Sequence, residues 1–369
     1  AFLDAKRQPG ELTNFTLSVL ISDAFMQAVE SGGDWPLIFP VYGLGGLARL
    51  DGKSLVERVW PGSDRKVLCA VLREVPARGL WDRIMRANYD TAEPGVLFID
   101  RINAENNLGY RETIGATNPC GEIPLPPYGA CNLGSLNLTR FVREPFSPQA
   151  HLDLVALRNA AAVAVRLLDD VIDVSRFPLP MQAEQARGSR RIGLGMTGLA
   201  DALIMLGLHY ASVQARHLAS QAMQTICHAA YRASTDLAAE KGSFPFFDAA
   251  ACVQRPFIQR LPEDIRAGIR QKGLRNSHLT AIAPTGTISL LANNVSSGIE
   301  PVFDFEHRRR VRGSDGADAW YELRDYALRL WRRDFGDKPL PDCFVAAHQL
   351  QPQDHLTMQA AVQPFVDNA

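Results

Sequence analysis

The chain has 369 residues, of which 46% are hydrophobic and 21% are charged, and its formal net charge is −1. A chain of this length and composition can bury a large core, and its nearly neutral charge argues against binding nucleic acid through a basic face. No apolar run approaches the roughly 20 residues that cross a membrane, and the N-terminus lacks the features of a signal peptide, so we expect a cytoplasmic protein.

The first half of the chain predicts strands that alternate with helices. Residues 16–22 are rich in β-branched and apolar side chains and predict a strand, after which Asp23 is predicted to cap a helix over 24–30. A second helix is predicted over 80–87 and a second strand over 96–99. A polar stretch then leads into the first segment that carries chemical information.

Residues 117–124 read Thr-Asn-Pro-Cys-Gly-Glu-Ile-Pro and place an amide, a thiol and a carboxyl at alternate positions. Alternate residues of an extended chain point to one side, so Asn118, Cys120 and Glu122 are predicted to face one substrate. Pro119 removes a backbone donor and favours a projecting loop over a central strand. The competing interpretation is a turn-forming amide and a solvated carboxylate, and only the spacing around the thiol favours a site.

The second half of the chain continues the alternation. Apolar residues recur at helical spacing over 152–174 and over 212–241, and a further helix is predicted over 320–335. Strands are predicted over 191–198 and over 280–283. This alternation predicts an α/β fold with largely parallel strands.

The segment Gly193-Leu194-Gly195-Met196-Thr197-Gly198 matches the dinucleotide-binding fingerprint. Pyrophosphate binding would make the protein an NAD-linked dehydrogenase, but a lone match is a weak signal, and no acidic ribose partner lies at the usual distance. Close packing of the strand against a following helix is the preferred explanation for these glycines.

A second segment, Pro284-Thr285-Gly286-Thr287-Ile288-Ser289, predicts an anion site. It follows a predicted strand, and its three hydroxyls and adjacent backbone amides are expected to face a phosphate at the start of a helix over 290–293. Taken alone, the segment is more typical of an ordinary Ser/Thr helix cap. Its occurrence with the Cys120 segment favours phosphate binding.

Six cysteines are too few and too scattered for a disulfide scaffold, and no Cys-x-x-Cys pair suggests a structural zinc ion. Cys69 and Cys227 lie in apolar surroundings that resemble helices, so both are predicted to be small buried side chains. No metal ligand is assigned, because lone histidines such as His278 and His307 are more often structural.

The segment Asn118-Pro119-Cys120-Gly121-Glu122, followed by Cys131-Asn132-Leu133-Gly134-Ser135, resembles the finger loop of the large subunit of ribonucleotide reductase. The block from 283 to 289 is similar to the substrate-phosphate loop of that family, and both are closest to its adenosylcobalamin-dependent class II branch. The resemblance implies a ten-stranded α/β barrel with a finger loop at about 115–137. It also implies a single catalytic domain over 1–369 that is truncated at both ends.

The resemblance implies a role for each residue of the finger loop. Cys120 would form a thiyl radical that removes the 3′-hydrogen of the ribose, Glu122 would be the general base for the 3′-hydroxyl, and Asn118 would hydrogen-bond both the substrate and Glu122. Such a base is expected to be partly desolvated. Cys131 would be one of two thiols that end as a disulfide, with a partner upstream of Ala1, so the chain alone is not expected to turn over. A Cys120–Cys131 disulfide is the less favoured pairing, because it would quench the radical thiol.

The resemblance also implies partners. They are a ribonucleotide substrate, expected to be a diphosphate, a thioredoxin-type or glutaredoxin-type reductant, nucleotide effectors that bind outside this chain, and a second copy in a homodimer. Two alternatives stay open. The first alternative to a class II catalytic chain is part of a class I large subunit, which receives its radical from a partner protein. The second is a nucleotide-binding fragment without catalysis.

Overall fold

The computed structural model describes residues 2–7, 10, 12, 14–44, 52, 54–60, 66–312 and 318–368. The chain divides into two compact units, Ala1–Pro127 and Tyr128–Ala369. Each unit combines helices with strands, which confirms the mixed α/β class, whereas the single barrel domain stays a prediction. Among the described residues, no helix is long and apolar enough to cross a membrane.

The described part of the first unit contains short strands and three helices. The strands are β1 (Ser18–Ile21), β2 (Asp34–Pro40), β3 (Leu55–Val59), β4 (Lys66–Pro76), β5 (Gly95–Phe98), β6 (Ala116–Thr117) and β7 (Pro124–Leu125), and the helices are α1 (Asp23–Ser31), α2 (Ala77–Thr91) and α3 (Ile99–Glu105). Strands β1 and β5 pair in parallel, whereas β2, β4 and β3 form an antiparallel sheet in that order.

Helix α1 begins one residue earlier than the sequence predicts. Ser22, rather than Asp23, is the N-cap, and its hydroxyl accepts a hydrogen bond from the amide of Phe25. A serine hydroxyl satisfies one of the free amides at a helix start as well as a carboxylate does, so the two neighbours could not be told apart by composition. Gly32, in the left-handed conformation, ends the helix.

The second unit contains most of the helices. Its described strands are β8 (Asn132–Asn137), β9 (Val142–Arg143), β10 (His151–Leu152), β11 (Ile192–Thr197), β12 (Glu306–Arg312) and β13 (Asp318–Arg324). Its described helices are α4 (Leu154–Val174), α5 (Pro180–Ser189), α6 (Leu199–Met205), α7 (Val213–Lys241), α8 (Ala249–Cys252), α9 (Pro256–Arg260), α10 (Glu263–Lys272), α11 (Ile288–Leu291), α12 (Tyr326–Phe335) and α13 (Pro352–Val362).

Strand β11 is the centre of the second unit. All six of its residues are buried, and it pairs in parallel with β8 on one side. On the other side, its Leu194 amide donates to Leu279 and its Leu194 carbonyl accepts from Ala281. A strand that is buried on both faces reads as a continuous apolar run, as β11 does.

The two long helices of the second unit confirm their predicted bounds. Asp153 caps α4 through a hydrogen bond from the Ala156 amide, and Ser212 caps α7 through one from the Ala215 amide. Helix α7 ends directly before Gly242. The apolar periodicity therefore located these helices to within a residue or two.

Three local predictions were wrong. The helix predicted over 320–335 begins only at Tyr326, because residues up to Arg324 pair with β12 in an antiparallel hairpin. The segment over 280–283 forms a single bridge to β11 rather than a strand. Cys69 is buried as predicted but lies in β4 and not in a helix.

Parallel pairing is rarer than the alternation of elements indicated. Among the pairs of described strands, only β1 with β5 and β8 with β11 are parallel, and the other five are antiparallel. Short hairpins such as β12–β13 are local pairings that a pattern of apolar runs does not reveal. The prediction of largely parallel strands therefore does not hold within the described residues.

Candidate functional site

The Cys120 segment is a tight turn at the tip of the small hairpin β6–β7. The Asn118 amide donates to the Ile123 carbonyl over 3.1 Å, and the Gly121 amide donates back to the Asn118 carbonyl over 3.1 Å. Gly121 has a φ of 90°, which a residue with a Cβ rarely adopts. The extended conformation predicted for this segment is therefore wrong, because the glycine and the two hydrogen bonds fold it into a turn.

Asn118 and Glu122 nevertheless converge, and the turn brings them together. The Asn118 Nδ2 donates to the Glu122 carboxylate over 2.8 Å, and the Asn118 Oδ1 accepts from the Ile123 amide over 3.0 Å. Ile123 is 1% exposed, so the Asn118 side chain is hydrogen-bonded to the backbone of a buried residue. Asn118 thus uses its donor on Glu122 and its acceptor on the Ile123 backbone, which fixes the carboxylate relative to the turn. Its contact with a substrate stays a prediction.

Cys120 lies on the exposed side of this turn and carries a free thiol. Glu122 and Asn118 are partly buried, so the loop presents a solvent-accessible thiol beside a carboxylate that is held on one side. Cys131 is partly buried and lies directly before strand β8. The predicted finger loop over 115–137 crosses the boundary between the two units, and each side of it is described by itself.

In the Thr285 segment, exposed and buried residues are separated cleanly. Gly286, Thr287 and Ile288 are exposed, whereas Thr285 and Ser289 are buried. Within the part of the chain that the structure describes, the backbone amides of the three exposed residues donate to no protein group. Three consecutive amides without a protein acceptor are donors of the kind that an anion-binding loop uses, and the helix that follows is only one turn long.

The hydroxyls of Thr285 and Ser289 were predicted to face a phosphate, but in the structure both are hydrogen-bonded to protein groups. The Thr285 Oγ1 lies 2.8 Å from the Thr197 Oγ1 and accepts from the Gly298 amide over 2.8 Å. The Ser289 hydroxyl donates to the Gly286 carbonyl over 3.3 Å. Both hydroxyls thus belong to buried residues and are bonded to protein groups, so Thr287 carries the one hydroxyl of the three that is exposed.

The glycine-rich segment in strand β11 allows backbone to approach backbone. A Cβ on Gly195 would lie 2.0 Å from the Ala281 carbonyl oxygen, and Gly198 has a φ of 71° with the Asn137 Oδ1 2.8 Å from where its Cβ would be. The preferred explanation of close packing holds, although the partner of Gly195 is the segment after Leu279 rather than a helix. Protein atoms therefore fill the space that a pyrophosphate would need at Gly195.

A buried carboxyl pair, missed by sequence reasoning, holds the neighbouring segment. The Asp201 carboxylate accepts from the amides of Ser296 and Ala327, the latter over 2.7 Å, and Asp325 is hydrogen-bonded to it. Burial raises the pKa of Asp201, and burial together with the adjacent Asp201 charge raises the pKa of Asp325 well above its usual range. Asp325 therefore holds the proton that the pair shares. The one feature of the sequence that could have drawn attention to this pair is that Asp325 directly precedes an apolar helical run.

An aspartate cluster and a buried histidine in the second unit are structural. Asp169, Asp170 and Asp173 lie together, but Arg190 and Arg275 lie 2.8 Å and 3.1 Å from Asp169 and Lys241 pairs with Asp170, so three cations balance the three carboxylates. His278 is 1% exposed, and burial lowers its pKa well below the usual value. It is enclosed by protein and cannot reach a ligand at the surface.

Comparison with known proteins agrees with the motifs. The family model for the ribonucleotide reductase barrel domain matches residues 1–369. The chain is 38% identical to a vitamin B12-dependent ribonucleoside-diphosphate reductase of Mycobacterium tuberculosis, with 100% of this chain and 49% of that protein covered.

Two further relatives show the same pattern. The chain is 33% identical to the vitamin B12-dependent ribonucleoside-diphosphate reductase of Thermoplasma acidophilum (97% of this chain, 43% of that protein). It is 30% identical to the ribonucleoside-diphosphate reductase large subunit of Variola virus (84% and 41%). The chain spans about half the length, or less, of these curated relatives. Because the family model covers it from end to end, the chain belongs to the ribonucleotide reductase family.

Proposed function

We propose that this chain is the catalytic barrel of a reductase that converts ribonucleoside diphosphates to 2′-deoxyribonucleotides for DNA synthesis. The observation that carries the proposal is the exposed Cys120 thiol on a turn where Asn118 holds the Glu122 carboxylate at 2.8 Å. A binding module has no need of such a thiol. The ten-stranded barrel with the Cys120 loop inside it is the fold that accompanies this proposal.

The residues of the loop divide the reaction between them. Cys120, as a thiyl radical, takes the hydrogen atom from C3′, so that an S–H bond forms and a C–H bond breaks. Glu122 accepts the proton of the 3′-hydroxyl, and Asn118 keeps the carboxylate in place through its amide. The 2′-hydroxyl leaves as water, and Cys120 finally returns the hydrogen atom to C3′.

The electrons for this reduction come from a pair of thiols. Cys131 and a second cysteine, which we expect elsewhere in the full protein, are oxidised to a disulfide as the two electrons pass to the substrate. Each turnover thus consumes two thiols and releases one water. A thioredoxin-type or glutaredoxin-type protein would reduce the disulfide again by thiol exchange.

Adenosylcobalamin is the cofactor that fits this thiol chemistry. When bound, it supplies a carbon-centred radical that can take a hydrogen atom from a thiol. Cys120 meets the requirement because it is free and exposed, whereas Cys69 and Cys227 are fully buried. We assign no described residue to the corrin ring, and the enclosed His278 is not a ligand for the metal.

The diphosphate of the substrate is proposed to bind at the exposed amides of Gly286, Thr287 and Ile288. Neutral backbone donors favour an anion without the point charge of a lysine, and the exposed Thr287 hydroxyl adds a further donor. Nucleotide effectors, a homodimer and a cytoplasmic location stay predictions.

The experiment is a reductase assay on the full-length protein with and without adenosylcobalamin, using wild type and Cys120→Ser. We expect deoxyribonucleotide formation that depends on the cofactor, loss of product in Cys120→Ser, and unchanged binding of the ribonucleoside diphosphate in that variant. Cys120→Ser is a matched change, because the hydroxyl has nearly the shape of the thiol but gives up its hydrogen atom far less readily. Substantial product from Cys120→Ser would refute the radical role.

The same assay tests a second candidate. The similarity to the viral large subunit is an observation in favour of a class I protein, which receives its radical from a partner subunit. Activity that requires an added partner subunit and not the cobalamin would establish that alternative. Diphosphate binding without any reduction under either condition would instead support a fragment with a binding role.

A further inference from the structure

We propose that Thr197, at the end of strand β11, is a positioning residue for the phosphate-binding loop and acts through the hydroxyl of Thr285. The proposal rests on the function proposed above and deepens it. In this proposal Thr285 supports the loop, and the backbone amides of Gly286, Thr287 and Ile288 contact the phosphates.

The direction of each hydrogen bond follows from the chemistry of the partners. The Thr197 Oγ1 lies 3.0 Å from the Ser296 carbonyl oxygen, which can only accept, so Thr197 donates its one proton there. The Thr285 hydroxyl, 2.8 Å from Thr197, must then donate to it. The Thr285 oxygen in turn accepts from the Gly298 amide over 2.8 Å. Thr285 therefore has no proton left for a ligand.

The backbone of Thr285 explains why this support is needed. Its φ is 56°, a left-handed conformation that is unfavourable for a β-branched residue. In that conformation its carbonyl accepts from the Ser289 amide over 2.8 Å, which closes the turn around residues 286–288. The buried hydroxyl bonds thus hold a strained residue in the one conformation that presents the three free amides.

The partner segment is itself fixed at close range. A Cβ on Gly298 would lie 2.9 Å from the Ala283 carbonyl oxygen, so this segment runs against the start of the loop. The Ser296 amide donates to the buried Asp201 carboxylate, and its carbonyl accepts from the Gly198 amide over 2.7 Å. Thr197 is 2% exposed and joins this rigid segment to Thr285. Its effect on a ligand must pass through the loop.

The test is a double-mutant cycle in the full-length protein with Thr197→Val, Thr285→Val and the double variant. The measured quantity is the dissociation constant of a ribonucleoside diphosphate and, in parallel, of the nucleoside without phosphates. We expect each single variant to weaken the diphosphate about 10-fold, as the loss of one hydrogen bond implies, and the double variant to be no weaker than either. Binding of the nucleoside should change less than twofold.

Conservative variants provide the control. Thr197→Ser and Thr285→Ser keep the hydroxyls and should bind the diphosphate within about twofold of wild type. If threonine served only to fill space, serine, which lacks the methyl group, would not restore binding. Independent 10-fold losses that multiply in the double variant, or equal losses for the diphosphate and the nucleoside, would overturn the positioning role. If Thr197→Val does not fold, the comparison of Thr285→Val with Thr285→Ser decides the question by the same criteria.

This experiment also separates the two proposals. A wild-type protein that binds no ribonucleoside diphosphate would refute the proposed function. A wild-type protein that binds it, with a folded Thr197→Val variant that binds it equally well, would refute only the positioning role of Thr197.

Discussion

Gly195→Ala is expected to destabilise the second unit strongly, because the glycine permits contact between two pieces of backbone. The added Cβ would lie 2.0 Å from the Ala281 carbonyl oxygen, roughly 1.4 Å short of the 3.4 Å at which ordinary contact begins. Backbone on both sides cannot swing aside as a flexible side chain can. Strand β11 and the Ala281 segment must therefore separate.

The size of the effect follows from what that separation breaks. Overpacking a well-packed core costs about 1–3 kcal/mol. The movement also strains two buried hydrogen bonds of Leu194, to Leu279 at 2.8 Å and to Ala281 at 3.2 Å, and each is worth about 1 kcal/mol. We expect a loss of about 3–5 kcal/mol in the free energy of unfolding, a large part of the stability of an ordinary domain.

The assay is urea unfolding of the full-length protein, followed by fluorescence and circular dichroism, with Gly268→Ala as the control. Gly268 lies inside helix α10, and a Cβ there would meet Thr235 at an ordinary 3.5 Å, so alanine should raise the stability by up to about 1 kcal/mol. If Gly195→Ala unfolds within 1 kcal/mol of wild type, the backbone approach does not constrain this position, and the glycine fingerprint needs another explanation.

Three further predictions concern the buried carboxyl pair and the finger loop. Folding raises the pKa of Asp325, so at a pH between the unfolded and folded pKa values only the folded state keeps the proton. The free energy of unfolding should therefore fall as the pH rises from about 4 through the raised pKa. Asp325→Asn should flatten that fall. Asp201→Asn should cost about 3 kcal/mol near pH 4, because the amide nitrogen that replaces one carboxylate oxygen cannot accept from the backbone N–H bonded to it; unfolding measured across pH checks both variants. Asn118→Ala removes the bond that holds Glu122 and should lower kcat about 10- to 100-fold with a smaller change in KM, measured by steady-state kinetics. Cys131→Ser should abolish reduction in a single-turnover assay while diphosphate binding persists.

The sequence was sufficient where the determining interactions are local. Apolar spacing predicted α4 and α7, and in the structure Asp153 and Ser212 begin these helices by capping an amide three residues along the chain. The convergence of Asn118 and Glu122 was also within reach, because the two residues are four apart, although a turn and not an extended strand joins them. In these cases the residues that decide the structure lie in one short segment.

The sequence was insufficient where the partner lies far along the chain. The hydroxyl of Thr285 was predicted to face a phosphate, but Thr197, 88 residues earlier, takes up its proton. The helix predicted from 320 failed for a similar reason, because Trp320 pairs with Arg310 across the β12–β13 hairpin. Composition shows that a hydroxyl or an indole is present, whereas its direction depends on which distant strand the fold brings beside it.

The Cys120 loop of the first unit and the Thr285 loop of the second unit share one construction. In each, a polar side chain turns inward and uses its hydrogen bonds to hold a turn, Asn118 on the Ile123 amide and Thr285 on the Gly298 amide. In each, the reactive or binding group is then presented outward, the Cys120 thiol in one loop and the Gly286 amide in the other. Rigid support leaves the exposed groups little freedom to lose on binding, which favours the substrate and its transition state alike. A substitution of an inward side chain should therefore reduce binding or turnover without removing any group that touches the substrate.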